Sequence, residues 1–348
     1  MTLTEVSYYS RKFAPFVLLL LLILLILYYL IKVLLLTIAP PKEPSIYYNP
    51  IFGKIKKPVI KDFTPSTNIN FKIDTIEGRP VTATESAKVY FLPSATARFG
   101  YREKIYLIAK TLGFDTEAVK HKLEGKEAVF KDEKQSLQID ITSFNFTYEY
   151  SFENDPQIFQ NTIIPQKKES QDKAVDFLTK IGRYPEELAQ GRTNTIFISY
   201  DPEARQMRLL ETNIGANMVE IDFYRPDQEQ YPIISPKYFN SQNYVMMAFY
   251  PSGFKIIKAQ IKYYEKSGTQ VGFYPIKTGD AAWEALNAGK GMIIQNESSS
   301  KEILIKKMFL GYFDPDIYQE YLQPIYVFLG DNNFVGYVPA IRDDYFTE

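Results

Sequence analysis

Hydrophobic and polar positions divide the chain into three regimes. Residues 16–38 read FVLLLLLILLILYYLIKVLLLTI, from Phe16 to Ile38, with Lys32 as the one charge. At 1.5 Å of rise per residue such a helix is roughly 34 Å long, enough to cross the hydrocarbon core of a bilayer. Its middle, around Leu20 and Leu25, shows no polar face of the kind a helix on a soluble domain carries. Tyr28 and Tyr29 late in the run, with Tyr8 and Tyr9 ahead of it, place aromatic rings for both interfaces, and Lys32 is close enough to the far end to snorkel. Pro15 falls where a first helical turn tolerates proline, and Pro40-Pro41 stops the run. The pattern predicts a membrane-spanning helix over 13–38 behind a short polar leader, 1–12. A cleaved signal peptide fits poorly, because the apolar run is too long and Thr37-Ile38-Ala39 is a poor cleavage site.

In the second regime, 39–66, Pro40, Pro41, Pro44, Pro50, Pro58 and Pro65 remove donors and favour extended backbone, which predicts a stalk. Ile46, Tyr47, Tyr48, Ile51 and Phe52 would let part of it dock as an edge strand instead.

Beyond residue 67 the periods alternate between 2 and 3.6, predicting an α+β protein with helices packed on antiparallel sheets. Phe71 and Ile73 alternate with Lys72 and Asp74, and 88–92 reads as a second strand. A helix over 101–112 puts Ile105, Ile108, Ala109 and Leu112 on one face and closes at Gly113. Asp115 is expected to cap a second helix, DTEAVKHKLEG, ahead of strands 128–131, 136–141 and 144–152. The same order recurs about 70 residues on. A helix over 171–181 closes at Gly182, a short helix ends at Gly191, and strands 195–200, 206–211 and 219–224 follow. LIAKTLGFDTEAVKHKLEG pairs with DFLTKIGRYPEELAQG, and KDEKQSLQI with DPEARQMRLL, which reads as a duplication. A third segment holds strands at 244–250, 254–265, 270–275 and 301–313, and a short helix at 281–286 with Asp280 as its cap. At most a turn or two of helix is expected at 317–322. A final hairpin, 325–329 with 334–339, turns at Gly330-Asp331-Asn332-Asn333. Three modules are therefore expected: 67–152, 153–231 as its repeat, and 232–348.

Composition narrows the chemistry. The chain has 348 residues, net charge −1, 45% hydrophobic and 15% aromatic residues; the charge leaves no electrostatic footprint for nucleic acid. There is no cysteine, which removes disulfides, thiol catalysis and thiolate metal sites. His121 is the lone histidine, flanked by Lys120 and Lys122, and reads as a solvated helix residue. Zinc, copper and haem sites of the usual kinds lack ligands, and no cofactor is expected. No G-x-S-x-G elbow accompanies a serine triad, and Gly289-Lys290-Gly291 lacks the rest of a phosphate-loop fingerprint. Paired carboxylates are the remaining catalytic option: Asp314 with Asp316, Glu186 with Glu187, and Asp343 with Asp344. Asp314 reads as a helix cap and the others as a first helical turn and a solvated tail. Trp283 reads with Leu286 as core, or as the wall of a cleft.

The duplicated helix with three antiparallel strands resembles the PepSY and PepSY-like modules of bacterial surface proteins. Further likeness lies in Ala282-Trp283 with Leu286 and Gly289, and in 303–311 with Tyr312. It continues through Leu322-Gln323-Pro324-Ile325-Tyr326 and Phe334-Val335-Gly336-Tyr337-Val338-Pro339. These resemble the last module of the membrane-anchored accessory regulators of the Gram-positive cell-wall sensor kinase, where a tryptophan stands in place of Tyr326. The resemblance implies a non-enzymatic, single-pass membrane protein whose extracytoplasmic modules bind or regulate another envelope protein. The alternative is a cell-wall glycan-binding protein or a carboxylate-dependent hydrolase. Arg11 and Lys12 precede the span, while Lys42, Lys54, Lys56 and Lys57 follow it. The count alone favours a cytoplasmic domain, but three of those lysines lie at the edge of the window that matters and a large domain translocates largely regardless of charge, so the expected orientation is N-terminus inside and domain outside.

Overall fold

The computed structural model describes residues 3–38, 48–97, 99–298 and 300–347, with side chains described from residue 13 to 34 in the first of these stretches. It divides into two compact units, Met1–Tyr47 and Tyr48–Glu348.

The first unit contains one long helix, α1 (Leu3–Ile38). Its segment Phe13–Leu34 has a mean hydropathy of 3.0 and is long and apolar enough to span a membrane. Phe16, Leu20, Leu25, Tyr28, Tyr29 and Lys32 are all exposed on it, and the rings of Tyr28 and Tyr29 meet edge to face at 5.5 Å. The side chain of Ile38 and the expected stretch 39–47 lie outside the described residues. Pro15 does not open the helix as expected. It lies inside α1, and residues 3–12 of the expected leader continue the helix on its N-terminal side.

The second unit is α+β. In chain order its elements begin with β1 (Thr64–Pro65), β2 (Asn70–Ile73), β3 (Ser86–Phe91) and α2 (Tyr101–Thr111). β4 (Lys122–Glu124), β5 (Glu127–Lys131), β6 (Gln135–Asp140) and β7 (Phe146–Tyr150) follow, then α3 (Lys167–Lys180) and α4 (Glu186–Gln190). Next are β8 (Thr193–Asp201), β9 (Gln206–Leu210), β10 (Met218–Phe223), β11 (Ile233–Ile234), β12 (Tyr244–Tyr250), β13 (Gly253–Ile261) and β14 (Val271–Pro275). The chain ends with α5 (Gly279–Ala285), β15 (Met292–Gln295), β16 (Glu302–Phe313), β17 (Tyr321–Gly330) and β18 (Val335–Pro339).

Among the described residues the strands form two nine-stranded sheets. One has the order β4-β5-β6-β7-β13-β12-β10-β8-β9, and the other runs β1-β15-β18-β17-β16-β11 with β2 on β16, β3 on β17 and β14 on β3. The ladders are antiparallel except where β2 and β11 join β16. The apolar stripes of α2 (Ile105, Ile108, Ala109) and α3 (Ala174, Phe177, Leu178) cover the first sheet, joining Phe130, Tyr148, Val219, Ile221 and Ile257 in one core. The second sheet packs around Val89, Leu310, Tyr326, Phe328 and Leu286.

Pairing cuts across the expected module boundaries. β2 and β3, from 67–152, pair in the second sheet, while β12 and β13, from 232–348, pair in the first between β7 and β10. The expected duplication recurs as an order of elements and not as a topology. β5, β6 and β7 form a meander, whereas in the second set the order is β9-β8-β10. DTEAVKHKLEG is a turn and the short β4, not a helix. Asp115 Oδ1 still accepts from the amides of Glu117 and Ala118, but Gly125 at φ 63° folds the chain into a hairpin with β5. α5 is capped by Thr278 rather than Asp280, the Thr278 side chain accepting from Ala281 N. Residues 317–322 carry no helix and lead into β17.

The expected stalk is partly a component of the fold. Ile55 and Ile60 are buried, Asn49 bridges to Phe273, Ile55 to Phe346, and β1 pairs with β15. Of the expected docking points, Phe52 packs on the second sheet against Phe91 and Tyr321, Tyr48 and Ile51 are exposed, and Ile46 and Tyr47 lie outside the described residues.

Candidate functional site

Between the sheets lies a cleft of about 1270 Å³, lined from the first sheet's side by 142–144 and 182–187, and from the connection after β13 by 263–268. Local chain physics sets its walls. α3 ends at Lys180 with Ile181 as its C-cap, and Gly182 takes φ 62°, so that Arg183 N turns back to Leu178 O at 2.7 Å and the Arg183 side chain meets the cleft. Pro185 stands at the N-cap position of α4, which sets Glu186 and Glu187 in a first helical turn, where the helix dipole favours acids.

Behind this wall Arg225, just past β10, is fully buried. Its Nε donates to Glu187 Oε2 at 3.1 Å, its Nη1 to Asp314 Oδ1 at 2.9 Å, and its Nη2 to the carbonyl of Tyr264, while the Tyr263 ring lies 4.5 Å from the guanidinium. Lys266 Nζ pairs with Glu187 Oε1, the Tyr263 hydroxyl donates to Glu187 Oε2 at 2.8 Å, and Gln242 Nε2 donates to Asp314 Oδ2. Two cations and two carboxylates thus neutralise one another. Burial alone would lower the Arg225 pKa, but Asp314 and Glu187 outweigh it and raise it. Burial pushes Glu187 up, yet Arg225 and Lys266 leave it below the ordinary carboxylate range. Asp314 is held above its ordinary value by complete desolvation despite Arg225.

One acid from each of two expected pairs meets on this guanidinium, and the others do not join them. Asp314 is not a helix cap; its N donates to Ile234 O at 2.8 Å as β16 runs on past β11. Glu187 faces the cleft, but Asp314 lies behind it and does not line it. Asp343 pairs with Lys277 at 3.0 Å and Asp344 with Arg342 at 3.3 Å, both elsewhere. Glu186 stays at the cleft surface. His121 is not on a helix: its ring packs against Tyr106 and Phe130, with Nδ1 3.2 Å from the Tyr106 hydroxyl. Trp283 packs against Phe71 and Phe328 in the second sheet's core. Arg225 carried no signal in the sequence, since its partners lie 38 and 89 residues away. Among the described residues no group of three or more His, Asp or Glu is placed to hold a metal ion.

A second groove, of about 770 Å³, runs along β16. On one edge β16 pairs with β17; on the other it meets β2 through residues 302–305 and β11 through 312–313. No strand among the described residues pairs with 306–311 on that edge. Asp74 N donates to Ile305 O, and Tyr312 N donates to Pro232 O. Residues 305 and 312 both face this edge because a bulge between Ile305 and Lys307 shifts the alternation. Met308 and Leu310 share the phase of Tyr312, so their backbone N–H and C=O groups point into the gap. The groove's charged lining is Arg192 and Lys307, and its apolar walls include Tyr238 and Phe239.

The fold and grooves define an α+β protein with one apolar N-terminal helix. No protein-family model matches the chain, and no curated protein matches it. Among solved structures it is similar to a crystal structure, at 1.45 Å resolution, of an uncharacterised protein from Eubacterium rectale ATCC 33656. That likeness covers 80% of this chain and 90% of that chain, at 12% sequence identity and a TM-score of 0.35.

Proposed function

We propose that the chain is a single-pass membrane protein whose extracytoplasmic α+β domain binds or regulates another envelope protein by contact. The observation that carries this reading is the stretch of β16 that no strand pairs on one edge, beneath a groove in which Met308 and Leu310 are 8% and 2% exposed. A strand edge with unpaired backbone groups, flanked by paired segments, is a template for an extended peptide, which would add as a short strand. Arg192 and Lys307 with no carboxylate in the groove lining favour an acidic segment as the occupant. The carboxylate-hydrolase reading is weaker, because Glu187 and Asp314 are both engaged by Arg225.

The test places a photo-crosslinking amino acid at Lys307 in the full-length chain in intact cells. A protein adduct is expected, cut from the cell surface by external protease. It should disappear in Arg192→Glu and in Leu310→Pro. Proline at 310 removes an N–H that faces away from β17, but it also removes a core leucine, so the Leu310→Pro result counts only where that variant keeps the parent's circular dichroism and melting transition. An adduct insensitive to both variants, or none with any protein, overturns the contact reading. An adduct protected from external protease yet digested in inverted vesicles overturns the orientation.

A further inference from the structure

Two arginines stand at the inter-sheet cleft, and only one is neutralised. Arg225 has two carboxylate partners. Arg183 has one partner, the neutral Asn145 Oδ1, which accepts from Nη2 at 2.7 Å. An arginine carries five N–H donors, so four are left without a protein acceptor. Its Nε is sealed from solvent with no hydrogen-bond partner, and so is the Asn145 side-chain nitrogen beside it. Among the described residues no carboxylate lies within ion-pair distance of Arg183. Asp140, Glu186 and Glu265 also line the cleft, but none pairs with Arg183, and Asp140 Oδ1 is taken by the amides of Thr142 and Ser143 and by the Thr142 hydroxyl. Lys104, whose Nζ reaches the Gly182 carbonyl, adds like charge from behind, and Arg183 lowers its pKa further than burial alone does. Desolvation without a counter-charge also pulls the Arg183 pKa down to about 10.

Arg183 is half-buried: its Nε is sealed while the rest of the fork opens on the cleft, and a partly desolvated guanidinium without a counterion favours a ligand that brings the charge. We propose that the cleft is a binding site for a carboxylate-bearing ligand, with Arg183 as the group that receives the carboxylate. The planar fork suits a carboxylate through two parallel N–H donors. Around it Tyr184, Tyr264 and Tyr318 line the cleft with aromatic rings, and Ser94 and Thr96 add hydroxyl-bearing side chains, a lining suited to a flexible polar ligand carrying one acid group. This site is separate from the β16 edge, and neither proposal depends on the other.

The experiment measures thermal stability and calorimetric binding of the full-length protein in detergent at constant ionic strength, with three probes. They are a short peptide with a free C-terminal carboxylate, the same peptide amidated, and glucuronic acid. The free-acid peptide or the sugar acid should bind and raise the melting temperature, and the amidated peptide should not; which acid binds tells a peptide source from a glycan source. Arg183→Met should weaken binding at least tenfold. Without ligand it should leave the melting temperature unchanged or higher, because it removes an uncompensated charge. Arg183→Lys should fold and retain partial affinity. If neither acid binds, or both bind Arg183→Met as well as the parent, the proposal fails. It also fails if Arg183→Met melts lower without ligand while binding is unaffected, since Arg183 is then structural.

Discussion

Asp222 is a carboxyl group placed where a negative charge is poorly tolerated. It is fully buried within the first sheet, on β10 between β8 and β12, and neither oxygen has a well-formed hydrogen bond. Burial first, and Glu220 two residues away second, push its pKa from 3.8 up to about 7. A group whose folded pKa lies above its unfolded one contributes its full stability below the unfolded value. That stability is lost as pH rises, here between about 4 and about 7. Asp222→Asn should therefore match the parent near pH 4 and melt several degrees higher at pH 8. Melting curves at the two pH values check this, and an equal shift at both would mean that packing and not charge governs the site. The hydrophobic pattern places 219–224 in a strand but does not show which face is sealed, so neither Asp222 nor Arg225 stood out. Glu187 and Asp314 were visible as acids, but the cation between them was not, because periodicity carries no information on partners distant in sequence.

At the scale of elements, periodicity found most strands and both long helices of the second unit, and it failed where tertiary pairing overrides local preference. The stretch after Asp115 has a helix cap and helix formers, yet 122–124 is taken up as an edge strand on β5. The final hairpin was legible in detail: Asn332 and Asn333 take φ 52° and 54° at its turn, a conformation asparagine tolerates. Gly191 was legible only as a helix end. The structure gives it a second role, because a Cβ there would lie 1.7 Å from the Tyr224 carbonyl oxygen. That close approach brings the end of α4 against the residue preceding Arg225. Gly191→Ala must push these backbones apart, with an expected loss of about 3 kcal/mol or more, on the scale of severe core lesions. Chemical denaturation measures it, and a loss below about 0.5 kcal/mol, typical of an ordinary surface change, would show that the two segments separate freely.

For the whole molecule, the apolar helix and the α+β class were plain in the sequence, while the two-sheet architecture was not. Strands far apart in the chain close both sheets, as β2 does with β16 across 232 residues. The proline-rich stretch shows the same limit. Its composition argues for an extended spacer, and its backbone from residue 48 is indeed irregular, yet it is fastened to the second sheet. Ser66 is buried, its hydroxyl donating to Leu286 O at 2.6 Å and accepting from Gly291 N at 3.1 Å. Ile55 and Ile60 are 1% and 5% exposed. Burying side chains of this size contributes about 1.5–3 kcal/mol each. A chain beginning at residue 48 should therefore fold and unfold with the same midpoint as the full-length protein, since the second unit is compact in itself. A chain beginning at 67 should lose about 3–6 kcal/mol from the two isoleucines alone, before the loss of β1 is added. Urea unfolding of both fragments separates the outcomes: equal midpoints would make 48–66 a true spacer, and a lower midpoint for the shorter fragment makes it part of the second sheet's core.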